Sequence, residues 1–286
     1  MPAFNHILFP VDFSDRCQAV RPFVNSMAQR FRSKLTLMHV VEIPAAWHGG
    51  FDGGFPALVD TDAMEEAAQN ELNTFLGAPD EGVDKVVKLG EPASEIIRFA
   101  GERQVDLVMM PTHGYGKFRN LLLGSVTAKV LHDAKCPVWT ATRMEGDSAK
   151  HVECKSMMGA IDRTPESASL IFRYLELARE FHAKLRLVHA VPGAHADVLR
   201  GLDQDLRRYL LESAREEIAK LQAEAGTDLE LCMEGGAVCK VVREAALHHD
   251  CDLVLIGRRT LHETFGQLRT NAYAIIRDAP CPVLSV

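Results

Sequence analysis

The stretch "LTLMHVVE", Leu35–Glu42, returns as "LRLVHAVP", Leu185–Pro192, at an offset of 150. Internal repetition of this kind settles an architecture before any single element does. At the same offset "HILFPVDFSD" resembles "SMMGAIDRTP", which sets Asp12 opposite Asp162. "KLGEPASEIIRFAGERQVDLVMM" resembles "MEGGAVCKVVREAALHHDCDLVLI", and "KCPVWTA" resembles "PCPVLSV". Four segments recur in one order, so the chain reads as two homologous domains, residues 1–144 and 155–286, joined by the polar stretch "RMEGDSAKHVECK". A length of 286 residues agrees with about two domains.

Each half alternates short apolar runs with amphipathic helices. Strands are expected near 5–11, 35–41, 84–89, 105–110 and 137–142 of the first half. Val20, Phe23, Val24, Met27, Ala28 and Phe31 form a helical stripe, inside which Pro22 should bend the helix or delay its start. In the second half the stripe is Leu170, Tyr174, Leu177 and Phe181, with Thr164 as N-cap and Pro165 at the first helical position. Leu206, Leu210, Ala214, Ile218 and Leu221 mark the next helix, and Gly226 its stop. The strands are apolar on both faces, as parallel strands covered by helices must be. The expectation is an α/β chain of two doubly wound, Rossmann-like domains.

Composition narrows the function. Hydrophobic residues make up 47% of the chain and charged ones 25%, as in a soluble globular protein. A net charge of -7 argues against nonspecific nucleic-acid binding, which depends on Lys and Arg neutralising phosphates. No apolar run reaches the roughly 20 residues that span a bilayer, and the first residues do not read as a signal peptide. Seven cysteines without a CxxC read as reduced thiols, and the expected compartment is the cytoplasm.

In such folds ligands sit beyond the carboxyl ends of the strands. One candidate loop carries Asp12 and Ser14. The other is "PTHGYGKFRNLLLGSVT", Pro111–Thr127, where Gly124 and Ser125 open a helix. Glycines let amides approach an anion, and a helix start adds about half a positive charge. GxxxxGK[ST] is absent, so this is not a P-loop. Taken alone, the loop leaves nucleotide binding and simple chain reversal equally open.

The spacing of the loop, with the "PVDFSD" opening and the "HVV" second strand, resembles the universal stress protein family, over nearly the whole length of both halves. That family's motif is Gly, two residues, Gly, nine residues, then Gly-Ser or Gly-Thr. Here it reads Pro111, Thr-His, Gly114, nine residues, Gly124-Ser125. The resemblance implies an adenine nucleotide alpha hydrolase-like fold and ATP, alone or with Mg2+. Asp12 and Val40 would lie near adenine and ribose. Met110, Pro111, His113, Gly114, Gly124, Ser125, Val126 and Thr127 would lie in the loop and around the phosphates. Pro111 departs from the motif: proline fixes φ and removes an N–H, so any contact needing that amide is lost. His113 could touch phosphate or order the loop, and Lys117 and Arg119 could meet phosphate or solvent.

The second half departs further. Gly257 is kept, but Thr260 stands at the second glycine and Thr270-Asn271 replaces Gly-Ser. This half is expected to have lost its triphosphate site, whether or not Arg258 and Arg259 attract an anion, and to act as a structural partner or to bind another molecule. The resemblance also implies internal pairing of the domains through "PVWTATR" and "PVLSV", an intrachain pseudo-dimer able to associate further as a homodimer.

Other features admit plainer readings. His39 and His189 are expected to be core histidines bonded to backbone. Cys239, His248, His249 and Cys251 suggest zinc, but their spacing matches no metal module, and none is expected. "HGGFDGGFPALVD", His48–Asp60, reads as a connection or a lid. No nucleophile–base pair, carboxylate dyad or metal hydrolase constellation is recognisable. The functional expectation is an ATP-binding, stress-responsive regulatory protein with an unidentified protein partner. The alternatives are a nucleotide-free interaction module and a slow ATP hydrolase.

Overall fold

The computed structural model describes residues 4–42, 60–75, 82–112, 123–141, 153–191, 204–257 and 266–286, with backbone alone for 266–270. The chain forms two compact units, one built on residues up to Val138 and the other on Trp139–Val286.

The first unit contains β1 (His6–Pro10), α1 (Asp15–Phe31), β2 (Lys34–Val41), α2 (Thr61–Phe75), β3 (Val83–Leu89), α3 (Pro92–Glu102), β4 (Leu107–Pro111) and α4 (Ser125–Asp133). Strand β5 (Val138–Ala141) follows. The strands lie in the order β3-β2-β1-β4, and β1–β2, β1–β4 and β2–β3 pair in parallel. The second unit contains β6 (Ser156–Ala160), α5 (Ser167–Phe181), β7 (Lys184–Val191), α6 (Gln204–Glu224), β8 (Leu231–Gly235), α7 (Val238–His248), β9 (Leu253–Ile256), α8 (Gly266–Asp278) and β10 (Val283–Ser285). Its order, β8-β7-β6-β9-β10, is again parallel throughout. Both units are therefore doubly wound α/β sheets, and the expected strands fall within two residues of those observed.

The duplication extends to single hydrogen bonds. Asp106 Oδ2 accepts from the amides of Asn5 and His6 at 2.8 and 2.9 Å. Asp252 Oδ2 accepts from those of Lys155 and Ser156 at 2.7 and 2.9 Å. One carboxylate thus fastens the start of the central strand in each repeat. Arg32 and His182 both close their helices in the left-handed region, at φ 52° and 55°.

The cores are filled differently. Gly159 and Tyr174 occupy the repeat positions of Phe9 and Val24. Tyr174 is fully buried and its hydroxyl donates to the Ala160 carbonyl at 3.1 Å. A Cβ on Gly159 would lie 2.5 Å from its ring. A large strand residue over a small helix residue has been exchanged for the reverse, a swap that conserves volume.

Neither a delay of α1 by Pro22 nor a cap of α5 by Thr164 is observed. Helix α1 runs through Pro22 and starts at Asp15, without delay, because Ser14 caps it: the Ser14 hydroxyl accepts from Cys17 N at 3.3 Å. Thr164 does not cap α5, which begins at Ser167 after Glu166. The Ser167 amide donates to the Thr164 carbonyl at 3.0 Å, so the loop closes as a turn before the helix, and Pro165 lies in that turn. The α6 stripe is buried at Ala214, Ile218 and Leu221, whereas Leu206 is exposed. Gly226, at φ 66°, follows the end of α6 as expected.

Overpacking a core costs about 1–3 kcal/mol. Gly159→Ala should destabilise the protein within that range and lower the urea midpoint. A simultaneous Tyr174→Val change should restore part of the loss.

Candidate nucleotide site

In the first unit the strand after β1 in sequence lies on one side of it and β4 on the other. This is the topological switch point at which such sheets bind ligands. The loop after β1 leaves from this end of the sheet, and Thr112, just past β4, binds the start of α4.

Asp12 organises the first loop. Its Oδ1 accepts from Ser14 N at 3.1 Å, from Ser14 Oγ at 2.6 Å and from the Cys17 thiol at 3.0 Å. Burial, reinforced by the Asp12 charge, pushes the Cys17 thiol far up, so this cysteine stays protonated. Asp12 Oδ2 takes no hydrogen bond from a described residue and remains an available acceptor. Beneath the loop, His39 Nδ1 lies 2.7 Å from the Val11 carbonyl. Phe13 is held at φ 59° with its ring centroid 4.5 Å from that of His39.

The second element is the start of α4. Gly124 is its N-cap and supplies no side chain, and its amide donates to the Thr112 carbonyl at 2.9 Å. The first helical bond runs from Ala128 N to Gly124 O at 2.8 Å. The amides of Ser125, Val126 and Thr127 precede it, and no described residue accepts from them. Other helix starts in this unit are closed: Ser14 caps α1, and the Glu91 carboxylate accepts from Ala93 N and Ser94 N in α3. Thr127 is buried, and its hydroxyl donates to the Pro111 carbonyl at 3.1 Å, tying α4 to β4.

The structure therefore brings Asp12, Pro111, Gly124, Ser125, Val126 and Thr127 to the carboxyl-end side of the sheet. Met110 is buried in β4, and Val40 is half-buried near the end of β2. His113, Gly114, Lys117, Arg119, the 48–59 connection, Thr260 and the Arg258–Arg259 pair lie outside the described residues.

The second unit repeats the first loop. Asp162 Oδ1 accepts from Thr164 N at 3.1 Å, Thr164 Oγ1 at 2.7 Å and Ser167 Oγ at 2.6 Å. His189 Nδ1 lies 2.9 Å from the Ile161 carbonyl. Both strand histidines are thus bonded to backbone, as expected. The helix start is what differs. Thr127, Val130, Leu131 and Ala134 match the buried Ala272, Ile275, Ile276 and Ala279 at an offset of 145, which places Gly124-Ser125 on Arg269-Thr270. Helix α8 already begins at Gly266, so amides at these positions lie inside it and donate four residues back. This register differs by one residue from Thr270-Asn271, the pair that sequence spacing selects.

The zinc reading also changes its members. Cys239 is not with the histidines; Cys232 Sγ lies 3.2 Å from His249 Nε2, and Glu230 brings the third donor atom within 4.8 Å. Lys184 and Arg186 each hold Glu230 at 3.0 Å and set two positive charges beside that trio. Nothing in the sequence spacing links residues 230, 232 and 249; only the adjacency of β8 to the end of α7 does.

The profile of the Universal stress protein family matches residues 3–141 and again 153–286. The chain belongs to the universal stress protein family. A Thermus aquaticus universal stress protein, encoded 3′ of a QAH/OAS sulfhydrylase, is 31% identical over 135 residues, covering 47% of this chain and 96% of its own. The universal stress protein structure from Archaeoglobus fulgidus covers 99% of this chain and 96% of its own, with a TM-score of 0.63 at 18% identity. PA1789 of Pseudomonas aeruginosa, described as functionally unknown, covers 100% and 93%, with a TM-score of 0.65 at 18% identity. At that identity the structures support the shared tandem fold.

Asp162 gives this family architecture a pH signature. Burial raises its carboxyl pKa, but hydrogen bonds from Ser167 and Thr164 outweigh burial and hold it below the ordinary carboxylate value. A depressed folded pKa stabilises fully above the unfolded value, about 3.9, and the contribution is lost as pH falls below it. Between about pH 6 and about pH 3, wild-type stability should fall more than that of Asp162→Asn, as read from urea midpoints at both values.

Proposed function

We propose that the first domain binds ATP and that occupancy biases the protein's conformation or its protein partners, as a regulatory switch. The observation that carries this reading is the uncapped start of α4, where three successive amides await an acceptor at the switch point of the sheet. Helix starts bind phosphate through such amides and through the helix dipole. Gly124 fits this role, because its lack of a side chain leaves the approach to the turn open. Asp12 Oδ2 complements it by accepting from a hydroxyl or amine of the nucleoside, while Ser14 and Cys17 hold the carboxylate in place.

Pro111 supplies no amide, so its role is its carbonyl, which anchors Thr127 and with it the helix start. ATP bound here brings its own negative charge, alone or with Mg2+. The protein's part is to orient the phosphates on the amides and the nucleoside against Asp12. Occupancy shifts a conformational equilibrium only to the extent that ATP prefers one state. A nucleotide-free interaction module is the competing reading, favoured by the saturation of Asp12 Oδ1 and the packing of Phe13 on His39.

Native mass spectrometry should find one ATP per chain in protein titrated with the nucleotide. Gly124→Val should weaken binding by at least about tenfold, equivalent to about 1.4 kcal/mol. Wild-type affinity in that variant, or no ATP bound to the wild type, would favour the interaction module.

A further inference from the structure

The second unit contains a cavity of about 590 Å³ at the carboxyl ends of β6, β7 and β9. Its size lies within the range of small-molecule sites, roughly 300–1,000 Å³. Ile161, Leu170, Val238, Ile256 and Ile275 give it an apolar lining. Asp162 and His189 are among its polar lining residues.

The proton on His189 can be placed by its partner. Nδ1 faces the Ile161 carbonyl at 2.9 Å, and a carbonyl only accepts, so Nδ1 carries the hydrogen. Burial lowers the pKa of this ring and keeps it neutral. Nε2 is then a bare lone pair. It is buried without a hydrogen-bond partner, in a residue only 7% exposed. An unmet buried acceptor is destabilising, and a donor on a ligand would relieve it. Asp162 presents a second acceptor, because all three of its donors converge on Oδ1 and Oδ2 receives none from a described residue.

Among the described residues, the groups that would hold a phosphate are spent or displaced. The Arg163 guanidinium is paired with Glu217 at 3.1 Å. Leu170 lies against Gly257, where a Cβ would come within 2.7 Å of its Cδ2. The start of α8 has moved a turn away from the register of α4. Asn271 lines the cavity too, and its amide can donate or accept. Among the described residues, with Arg163 neutralised by Glu217, the balance is one of acceptors at an apolar space, which disfavours an anion and suits a donor.

We propose that this cavity binds a small, phosphate-free molecule with an apolar body and two hydrogen-bond donors, hydroxyl or amine, one for Asp162 Oδ2 and one for His189 Nε2. The proposal rests on the reading that the second domain has no triphosphate site. It makes the two halves of the chain receptors for different ligand chemistries.

Three matched probes test it on the full-length protein by ligand-observed NMR: ortho-benzenedimethanol, its dimethyl ether and benzyl phosphate. The first offers two donors, the second the same ring and oxygens methylated so that they only accept, and the third an anion. The diol should bind at least about tenfold more tightly than the ether, and the phosphate should give no signal from this site. Asp162→Asn turns an amide into the cavity in place of an acceptor and should shrink or invert the diol preference. Val238→Trp, at a half-buried lining position, should block the diol while leaving the fold intact by circular dichroism. Equal binding of diol and ether, absence of diol binding, or a preference unmoved by Asp162→Asn would overturn the proposal. ATP binding that survives Gly124→Val and is lost in Val238→Trp would overturn it as well. Failure of the first-domain reading looks different: ATP is then missing from the wild type while diol selectivity persists.

Discussion

A parallel strand covered by helices on both faces has no side on which to keep a polar group wet. That constraint organises both units. Strands β1, β4, β6 and β9 are apolar almost throughout, and chemistry is displaced to their ends. The two histidines inside β2 and β7 are accommodated because each ring binds the carbonyl of the residue just past the neighbouring central strand. Each bond also stiffens the loop carrying Asp12 or Asp162. In both loops the carboxylate gathers three hydrogen bonds onto one oxygen and leaves the other free. The position of the free carboxylate oxygen is thus a consequence of how the sheet end is closed, not an addition to it.

With the loops alike, the two repeats diverge through helix register. Helix α4 begins where the chain leaves Gly124, so its unbonded amides lie at the sheet end. Helix α8 begins a turn earlier in the equivalent register, and the same positions are consumed by internal helix bonds. The first three amides of a helix are its anion-binding resource, and the dipole effect fades within one turn. A shift of four residues is therefore enough to move that resource off a site without disturbing the sheet, the buried face of the helix or the carboxylate loop.

The architecture was legible in the sequence because it is written in features that survive divergence: the matched apolar runs, the repeated Asp and His, and the alternation of strand and helix. Helix beginnings were less legible. Thr164-Pro165 reads as a cap and first residue, yet the Asp162 side chain and the Thr164 carbonyl draw the segment into a turn. The start of α8 could not be read from the Thr270-Asn271 position, since nothing local announces a helix beginning at Gly266. The exchange of Phe9 and Val24 for Gly159 and Tyr174 becomes intelligible only when the facing residue is known. The cavity polarity of the second unit was equally hidden, because it depends on which oxygen of Asp162 is occupied and which ring nitrogen of His189 carries the proton.

Pro111 and Gly257 show why motif letters alone mislead. By its letter Pro111 breaks the phosphate motif, while Gly257 keeps it. Atom by atom the comparison reverses. Proline forfeits an N–H, but the group in use at residue 111 is the carbonyl, which holds Thr127 and so helps fix the helix start where amides stay free. Glycine at 257 preserves the space a phosphate approach requires, but Leu170 fills that space, and Val20, a smaller side chain, stands at the corresponding place in the first repeat. Whether a position serves a ligand depends on which of its atoms is engaged and what stands over it. By that criterion the repeat that lost the glycine keeps unbonded amides at its helix start, and the repeat that kept it has a leucine against that glycine.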